Sequence, residues 1–367
     1  MSKTTRLITS LGIIAAAAGL AYAPTPGLER TVTVVSGTEL QEPLAALESQ
    51  FEQAHPNIKL DLKFQGSRDI VNNYLDDNND FDPTVIIPAN GELLEELGDR
   101  WQAQEGSDPF YDSPVPVAKT MLVGIAWPER GAVLFPNSRF DWQRVEGALE
   151  AGVWGDFGGS SDWGSFDLVI TDPARSNSGQ LALSLWSQDE LGGGALTANK
   201  LAAPEVQDLF GLVKRSVYQP PRSTDVLLQE FIARGPNDAD VAIVYESIAL
   251  HRWEQSATTQ GKPYQVYYLD PTVETVSTAA IVTRDVNRAT ADAARTFLEF
   301  LTAPEQQEVF VQFGFRPAAQ NLDLQAVSNS PWANNIPGAQ SNPPSTAVDT
   351  PDQQTLAEVI RLWQRAN

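Results

Sequence analysis

The 367-residue chain contains no cysteine. That excludes a disulfide framework, a thiolate nucleophile and a zinc ribbon. Histidine is nearly as scarce, with only His55 and His251. His55 stands before Pro56 in a helix-to-strand turn, and His251 follows a helical start. Both read as surface or packing residues, because a metal needs more partners than the sequence offers them. Positive charge is also in short supply. The chain has 25 Lys and Arg against 47 Asp and Glu, for a formal net charge of -22. The acidic excess is spread along the chain. It argues against a nucleic-acid partner, since holding phosphates takes clustered Lys and Arg. No Gly-x-Ser-x-Gly elbow occurs. No repeat of solenoid type is visible, and beyond residue 23 no apolar run is long enough to span a bilayer.

What is present is ample apolar sequence, 42% of residues, enough for a large core divided over two lobes. At the N-terminus, Lys3 and Arg6 precede an alanine-rich apolar run over residues 7–23. Ala21-Tyr22-Ala23 has the small-x-small form of a signal-peptidase site, although Pro24 is a poor residue just after a cut. Two readings of residues 1–27 stand, an export signal and an uncleaved membrane anchor. No cysteine follows the run, so a lipoprotein anchor is excluded.

From residue 31 the pattern alternates between strand and helix. Residues 31–35 read as a strand. A helix follows with Leu40, Leu44, Leu47 and Phe51 at helical spacing, and Pro43 is tolerable near its first turn. Ile58, Leu60, Leu62 and Phe64 alternate as in a half-buried strand. A second helix carries Ile70, Val71, Tyr74 and Leu75, and a third strand and helix follow at 84–87 and 92–97. This β-α repeat with short connections predicts a parallel sheet. Residues 106–116, with Pro109, Pro114 and Pro116, read as a link, and 117–127 as a strand crossing to a second lobe. Further strands are expected at 166–170, 241–245, 264–269 and 279–283. The last helix has Leu356, Val359, Ile360 and Trp363 on one face, with Thr350 as its cap and Gln353 closing a capping box.

Four strand-to-helix turns carry short polar residues: 36–39, 66–69, 176–178 and 245–247. The richest lies in Thr171-Asp172-Pro173-Ala174-Arg175-Ser176-Asn177-Ser178-Gly179. The first amides of a helix have no internal partner, so such a turn can hold a small anion or carboxylate. A single turn of this kind is explained by capping alone. Four of them, two in each β-α block, line one cleft if the blocks face each other.

Those turns, with Phe64-Gln65-Gly66-Ser67, Trp163-Gly164-Ser165-Phe166, Tyr245-Glu246-Ser247 and Gly314-Phe315-Arg316-Pro317, resemble a type 2 periplasmic substrate-binding protein. The resemblance covers roughly residues 31–318. It falls in the oxyanion-binding, molybdate-like branch, close to the binding-protein-like module also found fused to von Willebrand factor A domains. It implies an α/β fold of two lobes, each a mostly parallel sheet flanked by helices, joined by two crossing strands and closing on ligand about a hinge. Residues 28–116 and 276–318 are then the first lobe and 117–275 the second, with a C-terminal extension, 319–367, whose final helix is expected on the first lobe.

The resemblance places ligand-facing positions at Ser36, Gly37, Thr38 and Glu39, at Ser67 and Arg68, at Ser176, Asn177 and Ser178, and at Tyr245. Gly66 and Glu246 join them from the same turns, Glu246 either binding solute or bracing the hinge. Trp253, Tyr267 and Tyr268 are either stacking groups on the pocket floor or core, and Arg316 reads as structural. One departure matters. The molybdate-type pattern has a serine near Glu39, and a carboxylate there would repel an oxyanion and favour a cation or amine, while Arg68 pulls the other way. No metal-dependent Asp-x-Ser-x-Ser adhesion motif is present.

The function implied is the extracytoplasmic receptor of an ATP-driven importer. It would have no catalytic residue and no cofactor, bind a small polar or charged solute, act as a monomer and present the loaded form to a membrane permease. Two alternatives stand beside it. One is a membrane-anchored sensor or envelope interaction protein that kept the fold. The other is a carboxylate-pair hydrolase, which would turn its substrate over instead of holding it.

Overall fold

The computed structural model describes residues 29–319 and 321–366. The segment read as signal or anchor, residues 1–27, lies outside them. The first lobe is built from the expected β-α alternation. β1 (Arg30–Gly37) pairs in parallel with β2 (Ile58–Gln65), Val32 opposite Leu60, and with β3 (Val85–Ile87) on its other side. Helix Gln41–Ala54 buries Leu44, Leu47 and Phe51, the residues that fall on one helical face. Pro43 sits in its first turn, where its missing N–H leaves no internal hydrogen bond unmade.

Two long strands carry the chain between lobes. β4 (Val115–Ala126) and β8 (Thr272–Ile281) run antiparallel, from Val115 opposite Ala279 to Met121 opposite Glu274. Beyond that stretch they part. The end of β8 joins β3 in the first lobe, Val85 opposite Ile281. The end of β4 joins β6 (Val241–Tyr245) and β7 (Gln265–Tyr268) in the second, and β6 pairs in parallel with β5 (Leu168–Val169). The order β2-β1-β3-β8-β4-β6-β5 therefore makes one curled sheet shared by two lobes. Helices flank it, and each lobe has its own core. One core gathers Val34, Leu47, Ile86 and Phe297, the other Trp127, Trp186, Phe210 and Phe231. The fold is thus the two-lobed α/β arrangement expected, except that the second lobe's sheet is mostly antiparallel, since β4 runs against both β6 and β7 and only β5 and β6 run parallel.

The C-terminal extension departs from expectation. Its helix, Gln353–Arg365, packs on the second lobe, and Val359, Leu362 and Trp363 belong to that lobe's core. The reason lies in helix Asn177–Glu190, which is buried without a break from Asn177 to Ser187. A helix buried all round needs cover on its outer side, and the terminal helix supplies it. Trp363 Nε1 donates to Asp172 Oδ1 at 3.2 Å, just ahead of the buried helix. The cap also differs: Asp352, not Thr350, accepts from Thr355 N at 2.7 Å. Ile360 is only half-buried, and Leu362 takes its place on the apolar face.

Candidate functional site

All four polar turns meet between the lobes. β1 delivers Ser36 at its carboxyl end, where Ser36 Oγ donates to the Ile87 carbonyl of β3 at 3.4 Å. Helix Ser67–Leu75 starts at Gly66, and helix Asn177–Glu190 at Ser176; neither start has a side-chain cap. Their first amides are left for another acceptor. Gly66 lies against the opposite lobe. A Cβ there would stand 2.8 Å from the Arg175 carbonyl and 3.0 Å from that of Arg222, so only glycine fits. Ser67 Oγ accepts from Ala89 N at 3.0 Å.

On the second lobe, hydroxyls form a chain. Ser178 Oγ lies 2.9 Å from Thr171 Oγ1, 3.1 Å from Ser176 Oγ and 2.6 Å from Thr224 Oγ1. Asn177 Nδ2 donates to Tyr245 Oη at 3.0 Å, which ties the third turn to the fourth. Tyr245 is fully buried, and burial together with the nearby Glu39 carboxyl pushes its phenol well above the usual range.

Polar contacts join one lobe directly to the other. Arg68 Nη1 donates to Gln180 Oε1 at 3.1 Å. Arg175 pairs with Asp69 at 2.8 Å. Arg252 donates to Glu42 Oε1 at 2.8 Å, and His251 Nε2 lies 2.5 Å from Glu42 Oε2. Arg252 is also held by Asp225 at 2.6 Å. The His251 contact holds Glu42 below the usual carboxylate range, with Arg252 adding to it.

Glu39 is the exception among these acids. It is 9% exposed, and its Oε1 has no hydrogen-bond partner among the described residues. Burial raises its pKa from 4.5 to about 7, with Asp225 adding to the rise and its own backbone amide opposing it. The carboxyl folds back toward Gly37, where an added Cβ would lie 2.1 Å from Oε1. Gly37 therefore makes room for Glu39.

Several sequence candidates are otherwise engaged. Arg68 is not a free cation: Glu96 holds its Nη2 at 3.0 Å. Glu246 does not face solute. It is fully buried, bound by Arg316 at 2.8 Å through each oxygen and by Tyr268 Oη at 2.5 Å. It braces the junction, because β9 (Arg316–Pro317) lies on β4. The three aromatic candidates have partners of their own. Trp253 Nε1 donates to the Tyr264 carbonyl, Tyr267 packs on Phe135 at 4.7 Å, and Tyr268 serves Glu246. Sequence reasoning missed Glu42, Asp225, Arg252 and His251. Glu42 and Asp225 stand in the first turns of helices, whereas His251 ends the short helix Glu246–His251 and Arg252 follows it, so the sequence carried little signal for the pair.

Two α/β lobes on crossing strands, with helix starts and hydroxyls gathered in the gap, define a bilobal solute-binding protein. The comparisons agree. The sequence model for bacterial extracellular solute-binding proteins matches residues 32–316, and the chain belongs to that family. No curated protein matches the sequence. Among solved structures, a periplasmic thiamin binding protein is similar at TM-score 0.65 and 15% identity, over 94% of this chain and 98% of that one. The sulfate-binding protein SubI from Mycobacterium tuberculosis H37Rv is similar at 0.57 and 17%, over 87% and 94%. Iron-bound HitA from Pseudomonas aeruginosa is similar at 0.56 and 13%, over 91% and 98%. At such identities the likeness speaks to the fold. Among the described residues, no helix is long and apolar enough to cross a membrane.

Proposed function

We propose that the protein is the extracytoplasmic receptor of an ABC-type importer, trapping one small polar or charged solute between its lobes. It is exported and acts in the periplasm or at the cell surface, with residues 1–27 as signal or tether. It works as a monomer that hands solute to a membrane permease and carries out no chemistry. One observation carries the reading: the turns at Ser36, Ser67, Ser176 and Tyr245 come from two separate lobes yet gather at one gap. The site is Ser36, Gly37, Thr38 and Glu39 with Gly66 and Ser67 from one side, and Ser176, Asn177, Ser178 and Tyr245 from the other. The motif order supports kinship with the molybdate-like branch. The proteins similar in fold are named for thiamin, sulfate and iron, which fits one scaffold accepting varied solutes.

The test is a thermal-shift and tryptophan-fluorescence panel of oxyanions, divalent metals, amines, polyols and sugars. Ligand at a hundred times its Kd stabilises the native state by about 2.7 kcal/mol. At least one class should raise the melting temperature, and silence across the whole panel would remove the receptor reading. Ser176→Ala with Ser178→Ala should weaken that ligand while the empty protein keeps its circular dichroism.

A further inference from the structure

Receptor function leaves open which charge the solute carries, and the charges at the gap are unevenly matched. Three guanidinium groups reach across it, and acids hold every one. Arg68 is taken by Glu96, Arg175 by Asp69, and Arg252 by Asp225 and Glu42. His251 sits on Glu42 as well. Arg222 reaches the gap with its carbonyl, while its side chain belongs to an exposed residue. Glu96, Asp69, Asp225 and Glu42 thus each have a basic partner, and Glu39 stands in no ion pair among the described residues.

Glu39 is the carboxylate left over. It is nine-tenths buried, and its Oε1 lacks any partner among the described residues. It lines a narrow pocket, with about 10 Å³ of open space, together with Thr38, Glu42, Asp225, His251, Arg252 and Phe313. An ionised carboxylate is costly to bury alone, and a second acid beside it adds to the cost. A positive group reaching Glu39 would supply the partner that its Oε1 lacks. An oxyanion entering the pocket would meet Glu39 and Asp225, and the Arg252 guanidinium that also lines it is already held by Asp225 and Glu42.

We propose that the trapped solute carries a cationic nitrogen, an ammonium or a guanidinium, and that Glu39 is its counter-ion. This rests on the receptor reading and narrows it. The helix starts at Ser67 and Ser176 and the hydroxyls of Ser178 and Thr224 are left to fix the neutral or polar remainder of the solute. The groups facing Glu39 are Asp225, Tyr245, Glu42, His251 and Arg252, and burial holds the Glu39 pKa at about 7 in the empty cleft. Protonating Glu39 below that point removes the counter-ion, so cation affinity falls as pH drops.

The experiment is calorimetric titration at pH 8 with ethylammonium, putrescine and guanidinium chlorides, set against molybdate, sulfate, phosphate and ribitol. A cationic probe is expected to bind and the oxyanions not. Glu39→Gln is expected to weaken that probe at least tenfold with an unchanged circular dichroism spectrum. Gly37→Ala keeps the carboxylate but takes its space, and is expected to weaken the probe as well. Three outcomes overturn the proposal while sparing the receptor: an oxyanion binding the wild type, ribitol alone binding it, or a cation bound equally well by wild type and Glu39→Gln. Silence from all these probes and from the wider panel would instead sink the receptor reading, and the cation with it.

Discussion

Two buried carboxylates at the lobe junction have opposite surroundings. Glu246 is fully buried, and both its oxygens are met by Arg316, with Tyr268 Oη on one of them. Arg316 in turn donates to the Ser341 and Gln340 carbonyls of the C-terminal extension. That group is closed to newcomers. Glu39 is nearly as buried, yet it keeps one oxygen unpartnered and holds its proton up to about pH 7. The contrast separates a carboxylate whose oxygens are both met from one that keeps an oxygen without a partner among the described residues. Burial alone does not distinguish them. Partner count does, because a buried ion is tolerated only when its hydrogen-bonding capacity is met.

The largest effect expected from this contrast lies at Arg316. Arg316→Met leaves Glu246 buried and unpaired, and should lower unfolding free energy by about 3–5 kcal/mol in urea denaturation. A loss below about 1 kcal/mol would mean that Glu246 is not the brace described. Next comes Glu39. Its pKa is raised in the folded state, so its contribution to stability is complete below about pH 4.5 and disappears as pH rises through about 7. A rise of this size corresponds to at most about 3 kcal/mol across that window, at roughly 1.4 kcal/mol per pKa unit. Glu42, held below its usual range, acts in the opposite direction, so the useful quantity is a difference. Glu39→Gln should flatten the fall in stability between pH 5 and 8 relative to wild type, and parallel curves for the two proteins would refute the raised pKa. The smallest effect is expected at the Arg175–Asp69 contact, where the side chains are 34% and 20% exposed. Arg175→Ala should cost no more than about 1 kcal/mol. Its signature should instead be a larger radius of gyration in solution scattering, since one of the polar links between lobes is gone.

Much of this was legible beforehand. The β-α alternation of the first lobe could be read because Leu44, Leu47 and Phe51 repeat at helical spacing while Ile58, Leu60, Leu62 and Phe64 alternate. The polar turns were visible because Ser, Gly and Asn crowd the places where strand pattern yields to helix pattern. What escaped was pairing. Arg68 looked like an available cation until Glu96, far along the chain, was found on it. Trp253 and Tyr268 could be read as stacking groups or as core, and only the structure shows their polar tips bonded to Tyr264 and Glu246. The terminal helix showed its apolar face plainly, but which surface lacked cover depended on helix Asn177–Glu190 being buried on every side.

Sequence alone, then, determined the lobes, their strands and the polar turns, because each depends on residues close along the chain and on the periodicity of apolar side chains. Tertiary structure alone decided which charges are satisfied and which is not. Electrostatic satisfaction depends on groups that lie apart in sequence and meet only in space. Glu39 and Glu246 are the same amino acid at the start of similar turns, and only the presence or absence of a guanidinium brought in from elsewhere makes one a brace and leaves the other waiting.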